Sequence, residues 1–143
     1  MAGGPTSDGL GYLAGLMTTG EQPVNSYWIA LIPETEPGFT SDGETIIEPA
    51  FDDYGRAEIL NESSAWSILE YTLTNAYDVE FPTAATEWGT VRYWAVCDQE
   101  VGGRVFFVGE MFEPIFVGVG GTVTLEPGTI ALGFEGNQWK LGM

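Results

Sequence analysis

The sequence predicts an all-β fold: a single-domain antiparallel β-sandwich, jelly-roll-like or immunoglobulin-like, with a short N-terminal arm or helix. A chain of 143 residues suits one domain, and a domain of this size buries about 68–70% of the surface that its unfolded chain exposes. Twenty glycines and eight prolines interrupt the chain every few residues, which favours short strands over helices. Five tryptophans, six tyrosines and eight phenylalanines supply the apolar bulk of a core, so we expect the chain to fold.

The chain divides into three predicted segments. Residues 1–22 form an N-terminal arm, in which apolar residues at helical spacing indicate a short helix. Residues 23–136 form the β-sandwich, and residues 137–143 form a C-terminal tail. Within the sandwich, residues 34–53 carry several turn signals and form a long surface connection. A connection of that length favours a role in function or in contact with a partner.

Runs of apolar and aromatic residues predict the strands. These runs cover residues 27–32, 55–60, 66–73, 79–81, 91–97, 105–110, 115–119, 123–126 and 130–134. A count of about eight or nine strands suits two packed sheets.

The fifth of these strands is expected to be central in its sheet. Side-chain alternation places Val91, Tyr93 and Cys97 on one face and Trp94 on the other. Neither face is plainly polar, which is typical of a strand that is covered on both sides. The dipeptide Gly102-Gly103 then predicts a hairpin turn into the next strand.

The charge balance excludes several classes of partner. The chain has 21 acidic residues, four basic residues and no histidine, which gives a formal net charge of −17. A surface this acidic repels phosphate, so we expect binding neither to nucleic acid nor to an anionic membrane. The sequence also contains neither a basic, apolar secretion signal nor an apolar run of about 18 residues that could span a bilayer.

The two ends of the chain are the predicted partner-binding segments. The arm is apolar, rich in glycine and almost uncharged, although a frayed terminus is the alternative interpretation. In the tail, Trp139 lies in a polar stretch that offers few apolar residues for its indole to pack against. We therefore expect the tail to dock on a neighbouring chain. The predicted contact residues are Leu10, Leu13, Leu16 and Met17 in the arm, and Trp139 and Leu141 in the tail.

The scarce basic residues are predicted to form structural ion pairs. Three of the four are the arginines Arg56, Arg92 and Arg104. In so acidic a chain each arginine is expected to neutralise nearby carboxylates, within a subunit or between subunits. We therefore expect the loss of Arg56 to lower stability more than the loss of an exposed carboxylate.

Catalysis, cofactor binding and metal binding are not predicted. The chain lacks the histidine on which most nucleophilic triads depend. The acidic pairs Asp42-x-Glu44 and Asp52-Asp53 could supply oxygen ligands, but neither matches a calcium-binding loop. Cys97 is the only cysteine, and its apolar strand predicts a buried structural thiol. We expect the protein not to be an enzyme.

Several short motifs in the predicted sandwich resemble those of a known family. Tyr27-Trp28-Ile29-Ala30-Leu31 is similar to the family's early strand, and Glu48 with Tyr54-Gly55-Arg56-Ala57 to its acidic, Tyr-x-Arg block. The further motifs, in order, are Phe81-Pro82-Thr83-Ala84, Trp88-Gly89-Thr90-Val91, Ala95-Val96-Cys97-Asp98, Gly102-Gly103, Val108-Gly109-Glu110, Gly120-Gly121-Thr122-Val123 and Gly128-Thr129-Ile130-Ala131-Leu132. Together they resemble a family of small tailed-bacteriophage virion proteins, labelled tail fibre or minor structural proteins.

This resemblance implies a structural protein of the virion, made in the host cytoplasm. The favoured interpretation is a capsid decoration or minor capsid (cement) protein on the outer surface of the head. Its partners would be the major capsid protein and copies of itself, in a homotrimer. One alternative is a tail or tail-fibre component that contacts the host surface. Another is a carbohydrate-binding module, since exposed indoles can form a sugar platform, although most of the tryptophans lie in apolar strands and suit a core.

Overall fold

The computed structural model describes residues 2–18, 20, 22–34, 39, 45–69 and 72–133. These residues form ten strands, one α-helix and one 3-10 turn. In chain order they are β1 (Ala2–Pro5), α1 (Ser7–Thr18), β2 (Ser26–Pro33), β3 (Ala57–Leu60), the 3-10 turn (Ser63–Ala65), β4 (Trp66–Leu69), β5 (Thr72–Asn75), β6 (Val79–Glu80), β7 (Gly89–Cys97), β8 (Val105–Val117), β9 (Thr124–Leu125) and β10 (Ala131–Gly133).

Eight of the strands are joined in the order β3-β2-β7-β8-β1-β10-β5-β4, and β6 pairs separately with β9. Every pairing is antiparallel except that of β1 with β10. Apolar residues from both halves of the strand order, such as Ile29 and Leu31 in β2 and Leu132 in β10, share one core cluster. The fold is therefore the single-domain all-β sandwich that the sequence predicts.

Strand β1 connects the two halves of the strand order. Gly4 and Pro5 pair antiparallel with Val108 and Phe107 of β8. Ala2 and Gly3 pair in parallel with β10. The first part of the predicted arm thus lies inside the sheet, and the helix follows it directly.

Strand β7 is central, as predicted, since it pairs with β2 on one side and with β8 on the other. Its two faces enter two different apolar clusters, one with Trp94 and the other with Cys97. Val91 was predicted on the face of Cys97, and this is wrong: it packs in the cluster of Trp94. The reason is a bulge at Arg92 in β7: Val91 and Tyr93 pair with the consecutive residues Pro33 and Ile32 of β2, which face opposite sides of the sheet.

Two other strand predictions need correction. The runs at residues 105–110 and 115–119 are one long strand, β8, which continues through residues 111–114. The run at residues 66–73 is two strands, β4 and β5, which pair with each other from Trp66 opposite Asn75 to Leu69 opposite Thr72. Apolar side chains alternate in the same way along one long strand and along two consecutive strands. The pattern alone therefore did not show where one strand ends and the next begins.

Two residues of the long connection after β2 cover the outer face of the central strands. Phe39 and Ile46 form an isolated antiparallel bridge, and both pack against the cluster that contains Ile32, Ala95 and Cys97. This cover explains why β7 is apolar on both faces.

Candidate functional site

Helix α1 is fixed to β8 by the buried residue Thr6. Its backbone N–H donates to the carbonyl oxygen of Phe106 at 2.8 Å, and its hydroxyl donates to the carbonyl oxygen of Val105. The same hydroxyl accepts the N–H of Gly9 at 2.9 Å and so caps the first turn of the helix. The arm therefore has a defined position on the sheet.

Aromatic rings fill the space between the helix and the strands. Tyr12 stacks on Phe106 with ring centroids 4.4 Å apart, and Tyr27 meets Trp66 edge-to-face at 5.9 Å. The guanidinium of Arg104 lies 5.5 Å from the centre of the Tyr12 ring and 5.1 Å from that of Phe106. Such stacked, edge-to-face and cation–π contacts hold the rings in fixed orientations.

Beside these rings lies a cavity of about 330 Å³. Its walls come from the helix and from both halves of the sandwich, and include Tyr12, Leu13, Tyr27, Trp66, Ile68 and Phe106. Asn61, Glu62 and Ser63 also line it, and because these three residues are exposed, they mark its mouth. We call this the aromatic cavity. Chemically it suits an apolar or aromatic group with a polar edge.

The Tyr27 phenol at this cavity is not an acid at neutral pH. The hydroxyl oxygens of Tyr12 and Tyr27 are 3.5 Å apart, and the hydroxyl of Tyr12 accepts the N–H of Val24 at 3.1 Å. Burial, followed by the contact with Tyr12, raises the pKa of Tyr27 above its ordinary value. Tyr27 therefore presents a neutral phenol to the cavity.

The residues predicted to contact a partner from the arm all lie on α1. Leu13 and Leu16 are half-buried and pack against the main core cluster, and Leu10 is also half-buried. Met17 is 86% exposed. Trp139 and Leu141 lie outside the described residues. Contact of these six residues with a partner stays a prediction.

Arg56 lies at the centre of the acidic, Tyr-x-Arg block. Its Nε and Nη2 donate to the two carboxylate oxygens of Glu48 at 3.0 and 2.8 Å. Its Nη1 donates at 2.8 Å to the carbonyl oxygens of Gln99 and Gly102 in the β7–β8 hairpin. The arginine is 5% exposed in this pair, so it ties the long connection to the hairpin inside the protein.

Tyr54 completes this cluster. Its hydroxyl donates to Glu48 at 2.6 Å and accepts the N–H of Leu31 at 3.0 Å. Burial, followed by the charge of Glu48, raises the pKa of the Tyr54 phenol, which stays protonated. Every polar group of the block is satisfied within the chain, as a structural role requires.

The other two arginines also meet carboxylates of their own chain. Arg92 bridges Glu34 at 3.1 Å and Glu110 at 2.8 Å. Arg104 pairs with Asp98 at 3.0 Å. Pairing between subunits stays a prediction.

The acidic pairs considered for metal binding do not form a site in the described part of the chain. The residues of Asp42-x-Glu44 lie outside it, and within it no group of three or more potential ligands converges. Asp53 instead accepts hydrogen bonds from the backbone N–H of Thr86 and from the indole N–H of Trp88. This carboxylate fixes the loop before β7.

Cys97, Trp88 and Trp94 are core residues. Cys97 is fully buried, and burial raises the pKa of its thiol to about 12. Trp88 and Trp94 are also buried, which removes them from any sugar platform. No helix within the described ranges is long and apolar enough to cross a membrane.

Comparison with known proteins identifies the family. The chain matches the family described as "Podophage GP4 fiber I protein gp80" over residues 16–133. The chain belongs to this family. No curated protein matches it. As a member of a podophage fibre family, the protein is a structural component of a phage virion, in agreement with the resemblance found in the sequence.

The family match spans most of the sandwich. It begins within α1, ends with β10 and includes the Glu48, Tyr54 and Arg56 block. The family description names a fibre, which favours the tail-fibre interpretation over decoration of the capsid.

Sequence reasoning did not find the aromatic cavity. Its walls come from segments that are far apart in the chain, and only the folded sheet brings them together. One signal was available: Tyr12 falls between Leu10 and Leu13 in the predicted helix, at a position that shares a face with apolar residues.

Proposed function

We propose that this protein is a component of the tail-fibre apparatus of a podophage, where it acts as a structural module at the host-facing part of the particle. The observation that carries this proposal is the match to a fibre family over residues 16–133. A fibre module holds its neighbours in place by surface contacts and needs no reaction of its own. The saturated ion-pair cluster at Arg56 and the buried thiol of Cys97 agree with such a role.

The charge limits the surfaces that this module can contact. A net charge of −17 keeps the domain away from nucleic acid and from other acidic surfaces. Contact with a receptor or with a neighbouring fibre protein would then depend on apolar side chains or on basic groups of the partner. Exposed apolar residues on the described surface include Met17, Ile68, Phe112, Phe116 and Val119.

The location can be tested by fractionation of the phage. Particles would be disrupted into heads and tails, and each fraction probed with an antibody raised against the purified protein. We expect the protein in the tail fraction at few copies per particle, and antibody labelling at the tail in electron micrographs. Many copies retained on tailless heads would overturn the proposal and favour the capsid decoration interpretation, with the major capsid protein as partner.

A second experiment tests the role in attachment. Phage grown without the protein is expected to keep intact, DNA-filled heads but to adsorb poorly to host cells. Addition of the purified protein to the assembly reaction would restore adsorption. Normal adsorption by particles that lack the protein would contradict a host-facing role, and leaking heads would indicate a cement protein instead.

A further inference from the structure

The aromatic cavity has the properties of a protein-docking pocket. At about 330 Å³ it lies at the small end of the range for ligand sites. Tyr27 and Trp66 contribute rings to its wall, and Ile68 and Leu73 contribute aliphatic side chains. A single aromatic side chain in such a pocket is the usual anchor of a protein–protein contact.

Exposed apolar side chains lie next to the cavity. Ile68 lines the cavity and is nevertheless 79% exposed. It lies on β4, the last strand in the order of the large sheet. The outer edge of β4 has no strand partner among the described residues. Met17 is exposed on the last turn of α1, and Leu13 of the same helix lines the cavity. A strand edge with exposed apolar side chains is suited to a partner chain.

The sequence contains one segment with the matching chemistry. Trp139 and Lys140 are adjacent near the end of the chain, while Glu62 is exposed at the mouth of the cavity. An indole fits the aromatic walls, and an ammonium group next to it complements the carboxylate. We propose that the aromatic cavity of one copy receives Trp139 of a second copy of this chain, with Lys140 beside Glu62.

A second copy fits the surroundings better than the tail of the same chain. Insertion of one indole occupies the cavity but leaves the β4 edge and Ile68 uncovered, whereas a neighbouring subunit also covers these. Each copy carries both a cavity and a tail, so two copies can exchange tails in a symmetric dimer, or several copies can join head-to-tail. Head-to-tail contacts of this kind close into rings when the rotation between subunits permits. This inference goes beyond the fibre assignment and does not depend on it.

Complementation between two variants tests the proposal. Ser63→Trp blocks the mouth of the cavity and leaves the tail unchanged, whereas Trp139→Ala removes the anchor and leaves the cavity open. Sedimentation velocity of the purified full-length proteins is expected to show an oligomer for the wild type and monomers for each variant. A mixture of the two variants is expected to associate, because the cavity of one accepts the tail of the other. Gln138→Ala, next to the anchor, is the control and is expected to assemble like the wild type.

Charge reversal gives an independent test that leaves the aromatic walls of the cavity unchanged. Glu62→Lys and Lys140→Glu are each expected to weaken association up to about fivefold, and the double variant to restore it. Circular dichroism melts verify that every variant is folded. A monomeric wild type, assembly unaffected by Trp139→Ala, or a folded mixture that does not associate would each overturn the proposal. A monomeric wild type would leave insertion into the same chain as the alternative. Because all measurements use purified protein, none of these results bears on the location in the virion.

Discussion

Gly9 of α1 packs directly against the backbone of Phe106 in β8. A Cβ atom at Gly9 would clash with the carbonyl oxygen of Phe106. That same oxygen accepts the N–H of Thr6. The helix therefore approaches the strand without an intervening side chain, and this close contact positions Tyr12 over the Phe106 ring.

Gly9→Ala is expected to lower the free energy of unfolding by about 1–3 kcal/mol, because the added methyl group must displace the helix from β8. Gly11→Ala is the matched control, since a Cβ at Gly11 meets no atom within 4 Å. There the higher helix propensity of alanine is expected to stabilise the protein by up to about 1 kcal/mol. Urea denaturation of both variants measures the two changes. Equal effects at the two positions would contradict the close packing of Gly9.

Arg56→Ala is expected to lower the free energy of unfolding by about 3 kcal/mol or more, because it leaves the carboxylate of Glu48 without its main partner. The exposed residue Glu113 provides the control, and Glu113→Gln is expected to change stability by no more than about 0.5 kcal/mol. Thermal melts at neutral pH compare the two. The opposite order of melting temperatures would show that Arg56 is not a structural counter-charge.

The carboxylate of Asp53 is expected to make the stability of the protein depend on pH in the acidic range. Desolvation acts to raise its pKa, but hydrogen bonds, led by those from Thr86, outweigh it and lower the pKa from 3.8 to about 2. Since the folded pKa lies below the unfolded one, the contribution of this carboxylate is complete above a pH of about 4 and is lost as the pH falls towards 2.

Asp53→Asn is therefore expected to reduce stability at neutral pH, and its difference from the wild type is expected to shrink as the pH falls from about 4 to about 2. Urea denaturation over a series of pH values measures this difference. Asp52→Asn, at the exposed neighbouring position, controls for the loss of one negative charge. A difference that stays constant down to pH 2 would count against a hydrogen-bonded carboxylate.

Cys97 is expected to be inert in the folded protein. It is fully buried and its pKa is raised to about 12, so both access and thiolate formation are suppressed. A thiol reagent at mildly alkaline pH is expected to label it only after guanidinium unfolds the chain. Rapid labelling of the native protein would show that the central strands open locally.

The sequence predicted those parts of the fold that depend on local signals. Gly102 and Gly103 both have positive φ in the hairpin turn, as their identity suggested, and β7 lies at the centre of its sheet. β1 was not predicted as a strand, because four residues without apolar alternation give no periodic signal. The bulge at Arg92 was missed for a related reason: it depends on the pairing of β7 with β2.

The candidate site was less accessible to sequence reasoning. The sequence predicted that the arginines pair with carboxylates, but not which residues each one contacts. Arg56 donates to the carbonyl oxygen of Gly102, and no spacing rule connects positions so far apart. The aromatic cavity likewise joins Tyr12 with Trp66 and Leu132. Local patterns identify which residues are buried, whereas the tertiary fold decides which of them meet.

The position of β1 constrains how the protein is synthesised. Gly4 pairs with Val108, and Ala2 pairs with Ala131, so β1 finds its partners only after the long segment between them has been synthesised. The nascent chain must therefore remain unaggregated while the middle of its sheet is missing. A strongly acidic sequence serves this need, because mutual repulsion keeps neighbouring unfinished chains on a polysome apart.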